Sequence, residues 1–483
     1  MRTKILARLR RIFGVVLRKQ SQHLDVIGLK HNFSEFLRPH RVSRTFNGTP
    51  YRPLKRIGLT RAGSSPYHAA RTGKGYPLAS EQQTLRDLLT TRARRYEKKT
   101  FLEYRGQSFS FRTVDDKTDR VASGLSRLGL RPRDRIALLL SNRPEFVFFF
   151  LGAAKMGAVP VPLNPAWPQK TILDAVQESQ ASAFVTERSF TESVLEMISR
   201  SPRVRSWILA GNESPVDGPF RSLLEEPVLG FWPDLSPEDA AAILYTSGTT
   251  APPKAVLLTH RNFVSNCLQA VQPFRVDETD RFFCWLPLSS STAQVLLVLT
   301  PWAAGAACVL GEFFSPRAIL DELSEKRITV LAGAPHFFAD LVQAGDASRD
   351  IPSLRLAICN TGSVGQTTLR AFEDRYEAFV VEGYGLVEAT CICCANPYTG
   401  RRKAGSVGLP LPGEQCRVVG ESGGDCAVGE PGEILIRGPN IMKGYYNDPA
   451  SSARTLREGW LHTGDLGRID SDGYYYLIGR KQP

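Results

Sequence analysis

Short apolar runs alternate with polar, proline-containing breaks along the middle of the chain. The run IALLL (136–140) is flanked by charge and predicts a buried strand. Residues 142–145, Asn-Arg-Pro-Glu, favour a helix start, and FVFFFLGAAKMG (146–157) is apolar enough for a buried helix. Residues 159–163 return to a strand pattern. This order predicts a βαβ unit in a parallel sheet with helices on both faces.

Later segments extend the pattern and then change it. AFVTE (183–187) and SWILAG (206–211) repeat the strand signal. Residues 282–311 carry no charge, but their prolines, glycines and serines favour a core segment over a membrane span. Further on, short runs such as EILIRG (433–438) and GYYYLIG (473–479) alternate with glycine turns. They predict a small β-rich subdomain.

Composition and charge exclude several classes of protein. With 42% hydrophobic and 23% charged residues, the chain can build a large core, which excludes wholesale disorder. The nine cysteines show no disulfide-like spacing and indicate a reducing compartment. The net charge of +13 lies in residues 1–75, which hold 17 basic and two acidic residues, so the body is nearly neutral. A nucleic-acid-binding domain would carry its own basic surface, so nucleic acid is not predicted as a partner.

The first 20 residues have an amphipathic pattern. Apolar residues recur at helical spacing and basic residues fall largely on the other face. This is typical of a cationic helix lying at a membrane surface, although an organelle presequence or a solvated tail fits the same composition. We expect residues 1–75 to form an extension with a linker at 40–75. The expected location is cytoplasmic, peripheral at a membrane, with mitochondria as the alternative.

The strongest chemical signal is AAILYTSGTTAPPKAVLLTH (241–260). An apolar strand runs into a turn rich in hydroxyls and glycine, and a lysine and a second strand follow. Backbone N–H groups, hydroxyls and an ammonium group suit phosphate oxygens. The spacing is not that of a GxxxxGK[ST] loop. From the residues alone, a polar turn and a phosphate cradle stay equally open.

Three ordered motifs together resemble the adenylate-forming enzymes, which include acyl-CoA synthetases. The 245–254 segment resembles their phosphate-binding signature, and EGYGLVEAT (382–390) resembles their Tyr-Gly-x-Thr-Glu motif. GWLHTGDLGRIDSDGYYYLIGRK (459–481) resembles their Thr-Gly-Asp and Gly-Arg motifs. The resemblance covers roughly residues 80–483. Within the family, the sequence looks most like the medium- and long-chain fatty-acyl-CoA synthetase branch.

The resemblance implies an α/β fold with two doubly wound subdomains plus a small β-rich subdomain. We expect the α/β core at 76–404, the β-rich subdomain at 405–478 and the family's hinge at 479–483. The family's C-terminal domain, which brings a catalytic lysine, is expected to be missing after the hinge. A separate polypeptide supplying it, or a fragmentary sequence, are the alternatives.

The resemblance also implies a role for each matching residue. The 246–254 loop would hold the ATP β- and γ-phosphates, Tyr384 would lay its ring against adenine, and Glu388 would bind Mg²⁺. Asp465 would accept hydrogen bonds from the ribose hydroxyls, and Arg480 would donate on the ribose side. Thr246, Lys254 and Glu388 are the predicted catalytic residues. The predicted nucleotide-binding residues are Thr246, Ser247, Gly248, Thr249, Thr250, Lys254, Tyr384, Gly385, Asp465 and Arg480.

Some positions depart from the family's pattern. Ala251 stands where a glycine is usual, Val387 replaces the motif's threonine, and Ser290 stands where many relatives carry a histidine. Val387 removes a hydroxyl that would contact the α-phosphate. Three cysteines at 391, 393 and 394 lack a second ligand cluster, so we predict a buried strand lining and not a metal site.

These observations predict ATP-dependent activation of a carboxylic acid to acyl-AMP and then, with coenzyme A, to acyl-CoA. The resemblance and the apolar 293–310 stretch favour a medium- or long-chain fatty acid. The departures favour an alternative: a degenerate homologue that binds nucleotide or acyl chain without turnover. A ligase that needs a separate C-terminal domain is the third hypothesis.

Overall fold

The computed structural model describes most of the chain after residue 82. The described residues are 83–192, 200–210, 220–221, 223, 227–230, 232–246, 253–312, 315–345, 351–360 and 364–481. The predicted amphipathic helix and linker at 1–75 lie outside them and stay predictions.

Helices and strands alternate through most of the described chain. The helices are α1 Leu85–Tyr96, α2 Phe111–Arg127, α3 Pro144–Lys155, α4 Gln169–Glu178, α5 His260–Val271, α6 Thr300–Ala304, α7 Pro316–Glu325, α8 Pro335–Ala344, α9 Gln366–Tyr376 and α10 Pro449–Thr455. The strands are β1 Thr100–Tyr104, β2 Gln107–Ser110, β3 Arg135–Leu139, β4 Val159–Pro162, β5 Ala183–Thr186, β6 Ser206–Leu209, β7 Phe220–Arg221, β8 Ala240–Tyr245, β9 Ala255–Thr259, β10 Arg281–Cys284, β11 Ala307–Leu310, β12 Val330–Gly333, β13 Leu356–Cys359, β14 Phe379–Tyr384, β15 Cys394–Ala395, β16 Leu409–Pro410, β17 Gln415–Val419, β18 Gly432–Arg437, β19 Gly444–Tyr445, β20 Leu456–Arg457, β21 Trp460–Ile469 and β22 Tyr475–Arg480.

The predicted βαβ unit is confirmed in the first sheet. Strands β3 and β4 pair in parallel and are joined by α3, which begins with Pro144 at its first position, where no intrahelical donor is lost. Every residue of α3 except Glu145 is buried, as the uninterrupted apolar run indicated. The sheet has the order β4-β3-β5-β6-β7, and all its strand pairs are parallel.

A second, nine-stranded sheet holds the uncharged 282–311 segment. Its order is β16-β15-β14-β13-β12-β10-β11-β1-β2, parallel from β1 through β11 to β14. The segment supplies β10, a π-helical stretch at Ala293–Leu299, α6 and β11, and these elements are almost wholly buried. The predicted core segment is therefore confirmed. Among the described residues, no helix has the length and apolar character needed to cross a membrane.

Two antiparallel sheets complete the part of the chain that the structure describes. In one, β9 lies between β8 and β19; in the other, β17, β18, β21 and β20 pair in order and β22 adds to β21. The second sheet is the predicted β-rich part, although its limits at 405 and 478 stay predictions. The carboxyl end of β14 and the β8–β9 and β21–β22 hairpins carry the three sequence motifs. The fold thus presents all three motifs at element ends or tight turns.

Candidate active site

The neck of the β8–β9 hairpin is closed by two predicted site residues. The Thr246 N–H donates to the Lys254 carbonyl at 3.1 Å. The Lys254 N–H donates to the Thr246 hydroxyl at 3.0 Å. Thr246 and Lys254 are therefore held together at the base of the hairpin. Four predicted phosphate-binding residues (Ser247, Gly248, Thr249 and Thr250) and the departure Ala251 lie outside the described residues.

Tyr445 joins this hairpin to Glu388. Tyr445 lies on β19, which pairs with β9 so that Tyr445 stands opposite Val256. Its ring lies 4.9 Å from the Lys254 ammonium, a cation–π distance. Its hydroxyl donates to Glu388 Oε1 at 2.9 Å. Burial and the Glu388 charge raise the pKa of Tyr445, so it remains a phenol and a donor. The sequence motifs did not single out this residue.

Glu388 follows β14 in a short 3₁₀ turn, Val387–Ala389. Strand β14 is parallel to β13, and its carboxyl end is where a parallel sheet places ligand-binding groups. The Glu388 carbonyl accepts from the Met442 N–H at 2.9 Å. Val387 packs against the main core and has no hydroxyl to offer a phosphate. The structure therefore brings Lys254, Tyr445 and Glu388 together in space.

A second cluster forms around Tyr384, at the end of β14. The Tyr384 hydroxyl donates to Asp465 Oδ2 at 2.6 Å. Asp465 on β21 stands opposite Arg480 on β22, with Arg480 Nε 3.7 Å from Asp465 Oδ1. Burial raises the pKa of Tyr384 well above its ordinary value, and the nearby Asp465 adds to this rise. A Cβ on Gly385 would stand 1.7 Å from the Cys391 carbonyl oxygen, so only glycine fits beside this tyrosine.

Burial explains the three cysteines, and hydrogen bonds give Ser290 a structural role. Cys391, Cys393 and Cys394 are buried, and burial raises the pKa of the Cys391 and Cys393 thiols, as expected for an inert lining. Within the described ranges, no group of three or more His, Cys, Asp or Glu side chains could hold a metal ion. Ser290 caps a turn, since its hydroxyl donates to the Pro287 carbonyl and accepts from the Ala293 N–H.

A small apolar cavity lies between α3 and the π-helical stretch. Its lining is apolar except for one glutamine: Phe146, Val147, Phe150, Leu151, Leu288, Gln294, Val298 and Leu299. Part of the 293–310 stretch predicted to line an acyl tunnel therefore borders an apolar space.

The two sheets with parallel strands and intervening helices, and the polar clusters beside the carboxyl end of β14, define an α/β protein with a candidate active site at that edge. The family model described as "AMP-binding enzyme" matches residues 89–446, and the chain belongs to this family. This confirms the resemblance and the α/β fold class inferred from the motifs.

Relatives within the family differ in substrate. A feruloyl-CoA synthase of Amycolatopsis sp. is 31% identical over 393 residues, which cover 80% of this chain and 77% of that protein. A long-chain-fatty-acid–CoA ligase of Bacillus subtilis is 27% identical over 450 residues, which cover 84% of this chain and 78% of that ligase. The crystal structure of ATP-bound MatB from Rhodopseudomonas palustris aligns with a TM-score of 0.74 at 28% identity. The alignment covers 82% of this chain and 79% of MatB. The chain is therefore an AMP-forming acid–CoA ligase by family, and ATP, Mg²⁺ and coenzyme A are the cofactors and co-substrates of such ligases.

Proposed function

We propose that this protein activates a medium- or long-chain fatty acid to acyl-AMP and then to acyl-CoA. The observation that carries the proposal is the bridge made by Tyr445, which contacts the Lys254 ammonium and the Glu388 carboxylate at the same time. A cation and a carboxylate held by one rigid ring suit a phosphate chain with its magnesium ion. Positioning and charge neutralisation are the main catalytic needs of a displacement at phosphorus.

The donor set fits Mg²⁺ and ATP. Mg²⁺ prefers oxygen ligands and is commonly bound by one or two carboxylates, substrate phosphates and water, so Glu388 suffices as the protein ligand. The ion would neutralise phosphate charge as pyrophosphate leaves. Thr246 and Lys254 would hold the phosphate loop, with Ser247, Gly248, Thr249 and Thr250 between them.

The Tyr384 cluster would hold the nucleoside. Asp465 has acceptor capacity beyond its bond to Tyr384, since a carboxylate offers about four lone-pair sites, so it could also accept from ribose hydroxyls. Arg480, whose side chain is largely exposed, would donate on the same side. Tyr384 beside Gly385 would present its ring to adenine, with its hydroxyl anchored by Asp465.

A fatty acid is favoured by the apolar side chains that α3 and the π-helical stretch present to each other, and by the similarity to the Bacillus fatty-acid ligase, whose alignment covers 84% of this chain. The aromatic acid named for the Amycolatopsis relative defines the rival substrate class. The alternative function, nucleotide binding without turnover, is supported by Val387, which lacks the hydroxyl that the motif usually carries.

The test is pyrophosphate release with Mg²⁺, ATP and a panel of fatty acids from medium to long chain, with ferulate as the aromatic comparison. We expect fatty acids to give the highest kcat/KM. The Asp465→Ala variant should bind ATP and AMP more weakly, while Asp472→Ala, in the turn of the same hairpin, should not. Turnover with ferulate alone would refute the fatty-acid assignment. ATP binding without pyrophosphate release for any acid would favour the binding-only alternative.

A further inference from the structure

The backbone directly behind Glu388 is strained. Thr390 has φ 68° and ψ −57°, a left-handed region that a branched side chain rarely adopts. The Cys391 N–H donates to the Ala389 carbonyl at 2.8 Å, which closes a γ-turn around Thr390. Such a conformation costs free energy and persists only where surrounding contacts enforce it. The direction of Glu388 therefore depends on the groups that hold this turn.

A single loop, which carries Asn440 and Met442, holds the successive residues Glu388, Ala389 and Thr390. The Asn440 side-chain amide donates to the Ala389 carbonyl at 3.0 Å. The Thr390 hydroxyl donates to the Asn440 backbone carbonyl at 2.5 Å. The Met442 N–H donates to the Glu388 carbonyl at 2.9 Å. Asn440 contributes two of these contacts and is completely buried, so its own side chain must be held in place.

The orientation of Asn440 leaves one atom without a donor. Because a backbone carbonyl only accepts, the Asn440 nitrogen must face Ala389, and Oδ1 faces away from it. Asn440 Oδ1 accepts no hydrogen bond of ordinary geometry from the described residues, and neither do the two carboxyl oxygens of buried Glu414, although the Asn440 amide lies close enough to influence that carboxyl group. The two side chains are neighbours: Asn440 Oδ1 and Glu414 Cγ lie 2.6 Å and 3.0 Å from the point where a Cβ on Gly438 would stand.

The surroundings of Glu414 favour the acid form of its carboxyl group. Burial raises its pKa well above the ordinary value, the nearby Cys416 adds to the rise, and the Asn440 amide opposes it. The other titratable groups that face it are the buried thiols of Cys393 and Cys394. Within the described part of the chain, no basic side chain contributes. A carboxylic acid has one O–H donor, which a carboxylate lacks.

We propose that Glu414 is a positioning residue, whose acid O–H donates to Asn440 Oδ1 and thereby fixes the γ-turn that aims Glu388. This inference rests on the proposed role of Glu388 in binding Mg²⁺ with ATP. It explains with one hydrogen bond why Asn440 Oδ1 and a Glu414 oxygen are both buried without another donor. It also gives a function to a buried carboxyl group that lies outside the three sequence motifs.

The test compares three variants in acyl-AMP formation. Glu414→Gln keeps the shape and donates an N–H at every pH, Glu414→Leu keeps bulk without a donor, and Glu421→Gln removes an exposed glutamate charge in the same subdomain as the matched control. At neutral pH, Glu414→Gln should stay within about twofold of the parent. Glu414→Leu should lose about tenfold or more, with a raised Mg²⁺ requirement, as positioning residues beside metal ligands typically do. In the parent, activity should fall as alkaline pH ionises Glu414, and Glu414→Gln should lack this fall.

A stability measurement separates this proposal from the proposed function. Glu414 keeps its proton in the folded chain at pH values where the unfolded chain releases it. The free energy of unfolding of the parent should therefore fall, relative to Glu414→Gln, as pH rises above about 4.5. This readout needs no turnover. Equal pH dependence of unfolding in the two proteins, or equal activities of the Gln and Leu variants, would overturn the proposal. If no acid yields acyl-AMP but the unfolding difference is present, the proposed function fails and the acid form of Glu414 stands.

Discussion

Removal of the Tyr445 hydroxyl is the sharpest perturbation that the site allows. Tyr445→Phe deletes one oxygen and leaves the ring, so the 2.9 Å hydrogen bond to Glu388 is lost while the 4.9 Å contact with Lys254 is kept. Tyr445 is only 9% exposed, so water has little access to replace the hydroxyl. Glu388 would then lose the donor that orients its carboxylate.

The magnitude follows from the kind of bond that is lost. A hydrogen bond to a charged group contributes about 1.5–3 kcal/mol, and loss of a group that orients a metal ligand typically costs about 10- to 100-fold in metal affinity or activity. We expect Tyr445→Phe to fall in this range, mainly as weaker Mg²⁺-dependent ATP binding. Tyr445→Leu also removes the cation–π contact, which is weak because Lys254 is exposed. This variant should therefore lose roughly a further 0.5–1 kcal/mol of ATP-binding free energy.

The assay is calorimetric ATP binding at several Mg²⁺ concentrations, followed by the rate of acyl-AMP formation. Tyr446→Phe is the matched control, because Tyr446 directly follows β19 and packs with a different core cluster from that of Tyr445. A cycle with Glu388→Gln completes the experiment: the Tyr445→Phe effect should shrink when Glu388 cannot carry a charge. If Tyr445→Phe behaves like Tyr446→Phe, the bridge has no role in binding and the reasoning is refuted.

Two further predictions concern stability. Lys155 is 1% exposed and forms ion pairs with Asp115 and Asp119. Lys155→Met should lower the free energy of unfolding, measured in urea, by about 3 kcal/mol. This value is at the lower end for breaking a buried ion pair, because the two aspartates are partly exposed. Destabilisation equal to that of an exposed lysine variant would contradict this. Burial lowers the pKa of His260 to about 4. Between pH 6.5 and about 4 the histidine of the unfolded chain binds a proton that folded His260 does not. As pH decreases through this range, the free energy of unfolding should therefore fall by about 1.4 kcal/mol per pH unit relative to His260→Gln. Parallel pH curves for the two proteins would refute that assignment.

The sequence predicted those features that depend on local pattern. Runs such as 136–140 and 146–157 form a buried strand and a buried helix because an unbroken apolar run must be covered on all sides, as the elements of a parallel α/β structure are. The uncharged 282–311 segment was correctly placed in the core on the same ground. The roles of Glu388 and Asp465 came from the family resemblance, since a single carboxylate in a turn has no distinctive local pattern.

Tyr445 could not be predicted because its role depends on pairing between distant segments. It reaches Glu388, 57 residues earlier in the chain, only because β19 pairs with β9 and places its ring beside Lys254. A glycine followed by two tyrosines is compatible with any exposed turn. The signal that could have identified it is the hydrogen-bonding need of a buried phenol, and this becomes visible only once burial is known.

Thr390 and Glu414 escaped the sequence analysis for the opposite reason, because each contradicts its local preference. A branched residue is an unfavourable choice at φ 68°, and a glutamate is an unfavourable choice in a buried position. Both conflicts lie within one chain of contacts that runs through Asn440 to the turn bearing Glu388. Local preferences are expected to fail where a fold must hold a functional group in one direction, because the surrounding contacts then outweigh the local cost. The two conflicts therefore support each other: the strained turn explains the need for a fixed Asn440, and the buried acid supplies the donor that fixes it.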